Sequence, residues 1–345
     1  MQKEITDTTP LLDQDGSLLQ VGWARYPRLE CNLEQVAFYP QWLRSLQFAR
    51  VKVWDYYAIF TPQRFFSATI ANLGYAGNVF VYTLDFETNE LHEEGLVIPL
   101  GRGVTLSRQT VGVCEYQGQG AHLRFETTPN SREIFVDWPG FNRGRGLHAE
   151  ISLQLNQTHE SMNIVIPIPG KRFYYNHKIN CLPARGTLQY GEIQENLMPE
   201  ESLGQLDWGR GVWEYSSFWN WASASGFLAD GRRAGLNLGC GFGDTSAATE
   251  NALILEGKIH KLDQVSFEYD PQDFLKPWKF RDNAGRLDLD FVPFKDRFAA
   301  TKLVVIDSEV HQLFGHYAGK VLTDEGEEIH LDGLIGFAEE HHARW

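Results

Sequence analysis

Residues 147–155 read LHAEISLQL. Leu147, Ala149, Ile151, Leu153 and Leu155 fall on alternate positions, and His148, Glu150, Ser152 and Gln154 take the others. A period of two predicts a strand with one face in a core and one in water. RLDLDFVP (286–293) repeats the pattern, with Leu287, Leu289 and Phe291 inward. Outward from these two stretches the chain keeps the same character. VKVWDYYAIF (51–60), NVFVYTLDFE (78–87) and AHLRFETT (121–128) are aromatic and β-branched runs separated by Gly, Pro, Asn and Asp. No long helical period occurs. A short helix is expected only within 33–49, interrupted at Pro40.

Many short strands with few helices predict an all-β protein, a sandwich or a barrel. One up-and-down barrel takes about eight strands, and this chain offers enough for two. The polar, acidic run at 191–207 suits a connection between halves. The expected division is a loose arm at 1–20, a first half at 21–195 and a second at 196–345. A faint internal repeat supports two halves. Val53-Trp54-Asp55-Tyr56 resembles Val212-Trp213-Glu214-Tyr215. Tyr175–Lys178, followed by Gly186, resembles Glu309–Gln312, followed by Gly319. Each half closes on an acid and a tryptophan, Asp207-Trp208 in one and Glu339 to Trp345 in the other.

Composition narrows the function. Of 345 residues, 31 are Lys or Arg and 45 are Asp or Glu, for a net charge of −14. That balance argues against nucleic acid and anionic membrane surfaces, which both need a basic footprint. No apolar run reaches the roughly 20 residues of a membrane helix, and no signal peptide is visible at the start. The four cysteines form no C-x-x-C pair, so no cysteine zinc site is expected, and reduced thiols fit a cytoplasmic chain. His341-His342 beside Glu339-Glu340 lack further ligands at a telling spacing, so no metal is expected.

The candidate site lies between Asp207 and Lys261. Trp208, Trp213, Trp219 and Trp221 open this stretch, and Asp244, Glu250 and Asn251 follow. Aromatic walls beside a compact polar group are what a small-molecule pocket needs. Asp207, Glu250 and His311 are the candidate acids and bases. Arg210, Trp213, Tyr215, Trp219, Trp221, Asp244 and Asn251 are the candidate ligand contacts. A carboxylic acid desolvated among aromatics keeps its proton at neutral pH, and the π-faces stabilise a carbocation. Purely structural pairing is the competing reading, Asp207 with Arg210 and Glu250 with Lys258 or Lys261.

LNLGCGFGDTS (236–246) resembles the glycine motif of S-adenosylmethionine-dependent methyltransferases. The context opposes it. Ser246–Glu250 is too short for a crossover helix, and ALILEGKIHKL (252–262) reads as a hairpin about Glu256-Gly257. The glycines are expected to serve turns and close packing, and no cofactor is called for.

Other motifs carry a family resemblance. DWGRGVWEYSSFWNWASASG, the 235–262 run, GRLDLDFVP, SEVHQLFGHYAG and GFAEEHHARW resemble the domain-of-unknown-function 2804 family across nearly the whole chain. That resemblance implies no substrate and no catalytic residues. More loosely, Asp207-Trp208-Gly209 is similar to the strand-end acid and Trp-Gly of tandem lipocalin-like proteins, which include carotenoid hydratases and tocopherol cyclases. Here Trp follows the acid directly. This second resemblance implies two lipocalin-like β-barrel halves and a hydrophobic ligand, a lipid, polyene or isoprenoid, held in a β-barrel cavity. It leaves open whether such a ligand is carried or is hydrated or cyclised by proton transfer.

Overall fold

Alternate burial runs through the strands that the pattern picks out. Leu147, Ala149, Ile151 and Leu153 are buried, and the residues between them are not. Leu287, Leu289 and Phe291 are likewise buried. A computed structural model describes residues 2–303 and 306–344. Trp345, the last residue of the quoted terminal motif, lies outside them.

Two curled antiparallel sheets make up the fold, each a half-barrel. Seven strands of the first are β1 (Val51–Phe60), β2 (Arg64–Asn72), β3 (Ala76–Asp85), β4 (Leu91–Pro99), β5 (Leu147–Gln154), β6 (Arg172–Tyr190) and β7 (Leu203–Val212). Seven of the second are β8 (Ser216–Phe227), β9 (Arg233–Cys240), β10 (Ala252–Leu255), β11 (Lys258–Lys261), β12 (Leu287–Leu303), β13 (Ile306–Leu322) and β14 (Leu334–Arg344). The spatial orders are 4-3-2-1-7-6-5 and 11-10-9-8-14-13-12, each continued by further strands. The two orders are the same path walked twice, so the chain is a structural repeat.

Register makes the repeat residue-specific. Asp207 of β7 faces Tyr56 of β1 and Lys178 of β6. Glu339 of β14 faces Trp221 of β8 and Gln312 of β13. Asp207 and Glu339 are therefore equivalent, as are Lys178 and Gln312. The 175–178 segment thus matches 309–312, as its sequence indicates. The equivalent of Val53–Tyr56 is Phe218–Trp221, however. Val212–Tyr215 instead runs off the end of β7 into the loop before β8. The spacing to the following glycine differs between the halves for a structural reason. Gly186 follows Lys178 by one residue more than Gly319 follows Gln312, because β6 bulges between Ile179 and Leu182. Cys181 in that bulge has φ 61°.

Two expectations of organisation change. β7 pairs with β1 and β6, so a division at 195/196 falls inside the first sheet, and the second sheet begins at Ser216. Residues 2–20 are not a loose arm. Ile5, Leu11 and Leu12 are buried, and Thr9–Pro10 pairs in parallel with Leu29–Glu30. Helix is confined to short pieces, chiefly 3₁₀ turns at Leu33–Gln35 and Gln41–Arg50 on either side of Pro40. No helix among the described residues is long and apolar enough to cross a membrane.

Each half-barrel has its own core. Tyr57, Ile59, Phe125, Leu153 and Trp208 belong to the first, and Leu236, Trp278, Phe291, Leu313 and Tyr317 to the second. The opposite faces of β1, β2, β3, β6 and β7 meet the opposite faces of β8, β13 and β14. Phe60, Phe65, Leu84, Phe314 and Phe337 seal one end of that contact. The other end is open, and the candidate site lies there.

Candidate functional site

A cavity of about 400 Å³ lies between the two sheets, outside both half-barrel cores and not inside a barrel as the resemblance implies, because the barrel interiors are filled by their own core side chains. Its depth is set by strand parity. Trp54 and Tyr56 leave β1 on the face opposite Tyr57 and Ile59. Trp219 and Trp221 leave β8 opposite Ala222 and Ala224, which belong to the second core. Phe80, Tyr174 and Trp213 complete the aromatic wall.

The inner end is polar and buried. Asp207, Lys178, Glu250, Glu339, Gln312 and Arg297 line it. The Lys178 ammonium stands 3.4 Å from Asp207 and 3.5 Å from Glu250, and 3.8 Å over the Trp221 ring. Asp207 also accepts from the Asn176 amide at 2.6 Å and the Trp54 indole at 3.2 Å. In the other half the Trp219 indole donates to Glu339 at 3.2 Å, and the Gln312 amide donates to it at 3.3 Å. Trp54 and Trp219 are thus the same device used twice, an indole two residues along the strand that tethers the facing acid.

Burial sets the protonation of this group. It pushes the Glu339 carboxyl up to about 7, against the opposing pull of the Trp219 N–H and the Arg297 charge. Burial also raises Glu250, with Lys178 pulling the other way. His341, which lines the cavity above Glu339, is driven down to about 3 by burial and is neutral. Its ring packs tilted against Trp219, centroids 4.1 Å apart. Arg297 is paired with Glu93 across the two sheets at 2.5 and 2.9 Å. Buried acids, one of them holding its proton near neutrality, beside an aromatic wall can donate a proton to a bound ligand.

Five of the sequence candidates line the cavity: Asp207, Glu250, Trp213, Trp219 and Trp221. Five do not. Arg210 lies three residues from Asp207 on one strand, which turns it to the other face. There it pairs with Asp55 at 2.8 Å and stacks on Trp208 inside the first half-barrel. His311 neighbours Gln312 and so points away from the cavity, against Asp296, Phe274 and Phe298. Tyr215 is exposed in the loop before β8, and Asp244 is exposed in the glycine turn. Asn251 is buried as a staple: it accepts from the Gly239 N–H and donates to the Asp263 carbonyl, both at 2.7 Å. The expected pairings change as well, since Asp207 and Glu250 share Lys178 rather than meeting Arg210, Lys258 or Lys261.

The glycine run has a different use from the one its motif suggests. β9 pairs antiparallel with β8 and β10, and Cys240 leads into turns at Gly241 and Gly243 with φ 99° and 62°. No parallel strand or crossover helix forms a nucleotide cradle there. Gly239 makes room instead: a Cβ on it would lie 1.8 Å from Glu250 Oε1. Residues that sequence reading passed over are Trp54, Tyr56, Lys178, Arg297, Gln312 and Glu339. Glu339 stands in a segment read there as the acidic close of the second half and weighed as a metal ligand, not as part of the site. Among the described residues, no group of three or more His, Cys, Asp or Glu could hold a metal ion.

A crystal structure from Nitrosomonas europaea, provisionally assigned to AttH, is similar over 84% of this chain and 92% of its own, at 12% identity and a TM-score of 0.46. Kievitone hydratase from Nectria haematococca is similar over 85% and 88%, at 12% identity and 0.44. No curated protein sequence matches. The family described as a domain of unknown function (DUF2804) matches residues 2–345, the whole repeat with both of its tethered acids, and the chain belongs to that family.

Proposed function

We propose that the protein binds an uncharged hydrophobic small molecule, of the lipid, polyene or isoprenoid kind, between its two half-barrels. The observation that carries this reading is the cavity itself, walled by Trp54, Tyr56, Phe80, Trp213, Trp219 and Trp221. The charge balance supports an uncharged ligand. Lys178 and Arg297, the two Lys or Arg side chains in the lining, already face carboxylates, which disfavours a fatty-acid headgroup. Mass spectrometry of the organic extract of purified protein tests it. The expected result is a stoichiometric apolar species, displaced by the uncharged fluorophore N-phenyl-1-naphthylamine. An empty extract together with no fluorophore binding would sink the reading.

A second reading rests on Glu339. A buried acid that keeps its proton near neutrality suits a hydratase or cyclase. The Glu339 proton adds to one carbon of an alkene, and the cation formed at the other is stabilised by the Trp219 and Trp221 π-faces. Water then adds to that cation and gives its proton to a cavity carboxylate, or an internal nucleophile closes a ring. Asp207 and Glu250 are the candidate acceptors, and His311 takes no part. Incubating the extracted ligand with fresh protein tests this reading. It expects an added water or an isomer from wild type and none from Glu339→Gln.

A further inference from the structure

The open end of the cavity has a neighbour that neither reading uses. Inner lining residues such as Lys178, Glu250 and Gln312 are buried, whereas Leu73, Asn78, Val97 and Thr301 at the other end are partly or fully exposed. The mouth therefore lies by the β2–β3 turn. On that turn sits the 3₁₀ segment Gln41–Arg50. A Cβ on Gly74 would lie 2.4 Å from the Phe48 carbonyl, and Lys52 Nζ donates to both Ala49 O (3.1 Å) and Leu73 O (2.7 Å). Arg50 donates to the carbonyl of the lining residue Trp213 at 3.0 Å.

This segment buries none of its side chains. Trp42 is 79% exposed, Phe48 59% and Leu46 56%. At three residues per turn, Trp42 and Phe48 stand two turns apart on one face. Single exposed apolar residues are ordinary, but a cluster of three at a cavity mouth marks a contact surface. Its charge is also distinctive. The chain carries 45 acids, yet none occurs between Glu34 and Asp55, where Arg44 and Arg50 fall. Contact with an apolar surface there desolvates no carboxylate.

We propose that Gln41–Arg50 docks the cavity mouth onto a zwitterionic lipid surface, from which the ligand enters or to which it returns. This rests on the reading that the ligand is hydrophobic. Exposed Trp and Phe on a short amphipathic segment with basic neighbours are the side chains that settle at a lipid headgroup boundary. The net charge of −14 repels an anionic leaflet, so a neutral headgroup layer is the surface that the chemistry fits.

Flotation with phosphatidylcholine vesicles tests the proposal on the full chain. Wild type is expected to float, and W42A/F48A to partition at least about tenfold less, from the loss of two inserting side chains. Both residues are exposed, so the variant should keep its melting temperature and its binding of N-phenyl-1-naphthylamine. Wild type that stays unbound, or a double variant that floats as wild type does, overturns the proposal. So does a homodimer broken by W42A/F48A without vesicle binding, which would assign the patch to a second copy. Vesicle binding without fluorophore binding upholds the docking surface and removes the hydrophobic-ligand reading instead.

Discussion

Lys178 and Gln312 hold the same position in the two halves, each opposite the acid of the adjoining strand. One is a cation and the other a neutral amide, so the repeat is symmetric in place and asymmetric in charge. Gln312 is itself fixed. Its carbonyl accepts from Tyr82 at 2.8 Å, which leaves its amide to donate to Glu339. An amide N–H carries no net charge, so it pulls less toward the charged carboxyl than an ammonium does, and burial then favours the neutral form.

Glu339 should tilt stability against pH. Its folded value, about 7, lies above the ordinary 4.5, so the folded protein holds a proton there that the unfolded chain has released. This contribution is full below about pH 4.5 and is lost as pH rises through about 7, by up to about 3 kcal/mol. Glu339→Gln removes the slope. Urea unfolding near pH 5 and near pH 8 should show the variant gaining on wild type at the higher pH. A difference that does not change with pH contradicts the assignment.

Gln312→Lys would copy the first half's charge into the second. An ammonium opposite Glu339 favours its charged form and moves its proton loss below pH 7. Infrared spectroscopy of the protonated carboxyl band across pH reads this directly. The band should vanish at lower pH than in wild type, and an unmoved band counts against the pairing.

Removing Lys178 should cost more than removing either partner's charge. Lys178→Met leaves Asp207 and Glu250 buried without their shared cation, a loss of roughly 3–5 kcal/mol near neutral pH. Glu250→Gln leaves Lys178 its Asp207 partner and the Trp221 face, and should cost about 1 kcal/mol. Chemical denaturation of the two variants ranks them, and the reverse order would refute the network.

Gly239→Ala tests the glycine that faces the acid. Its Cβ must displace the Glu250 carboxylate, at about 1–3 kcal/mol. In a Glu250→Ala background the same change should cost less than about 0.5 kcal/mol, because the three atoms nearest that Cβ all belong to the Glu250 side chain and are gone. Equal costs in both backgrounds would place the strain elsewhere.

Local pattern carried the architecture and part of the site. The alternation at Leu147–Leu153 and Leu287–Phe291 needs no neighbour to be read, and the Glu256-Gly257 turn joins β10 to β11 as its composition indicates. What the sequence hides is register. Which face of a strand meets the other sheet depends on pairing with residues more than a hundred positions away. Arg210 and His311 are chemically apt residues on the wrong parity. Glu339 and Lys178 are right in parity, but only their cross-strand partners reveal it. Trp54 stands 153 residues before Asp207 and Trp219 only 120 before Glu339, and that difference hides the correspondence of the two tryptophans.

The strand that finishes each half comes late. β1 at 51–60 pairs with β7 at 203–212, and β8 at 216–227 waits for β14 at 334–344. Closing such long loops is slow, and until then β1 and β8 each keep an unpaired edge, the kind of surface that recruits other chains. Because β7 carries Asp207 and β14 carries Glu339, each half also gains its acid at the moment of closure. During synthesis, nascent chains therefore pass through two intervals of aggregation risk, and neither ends before that half's chemistry is in place.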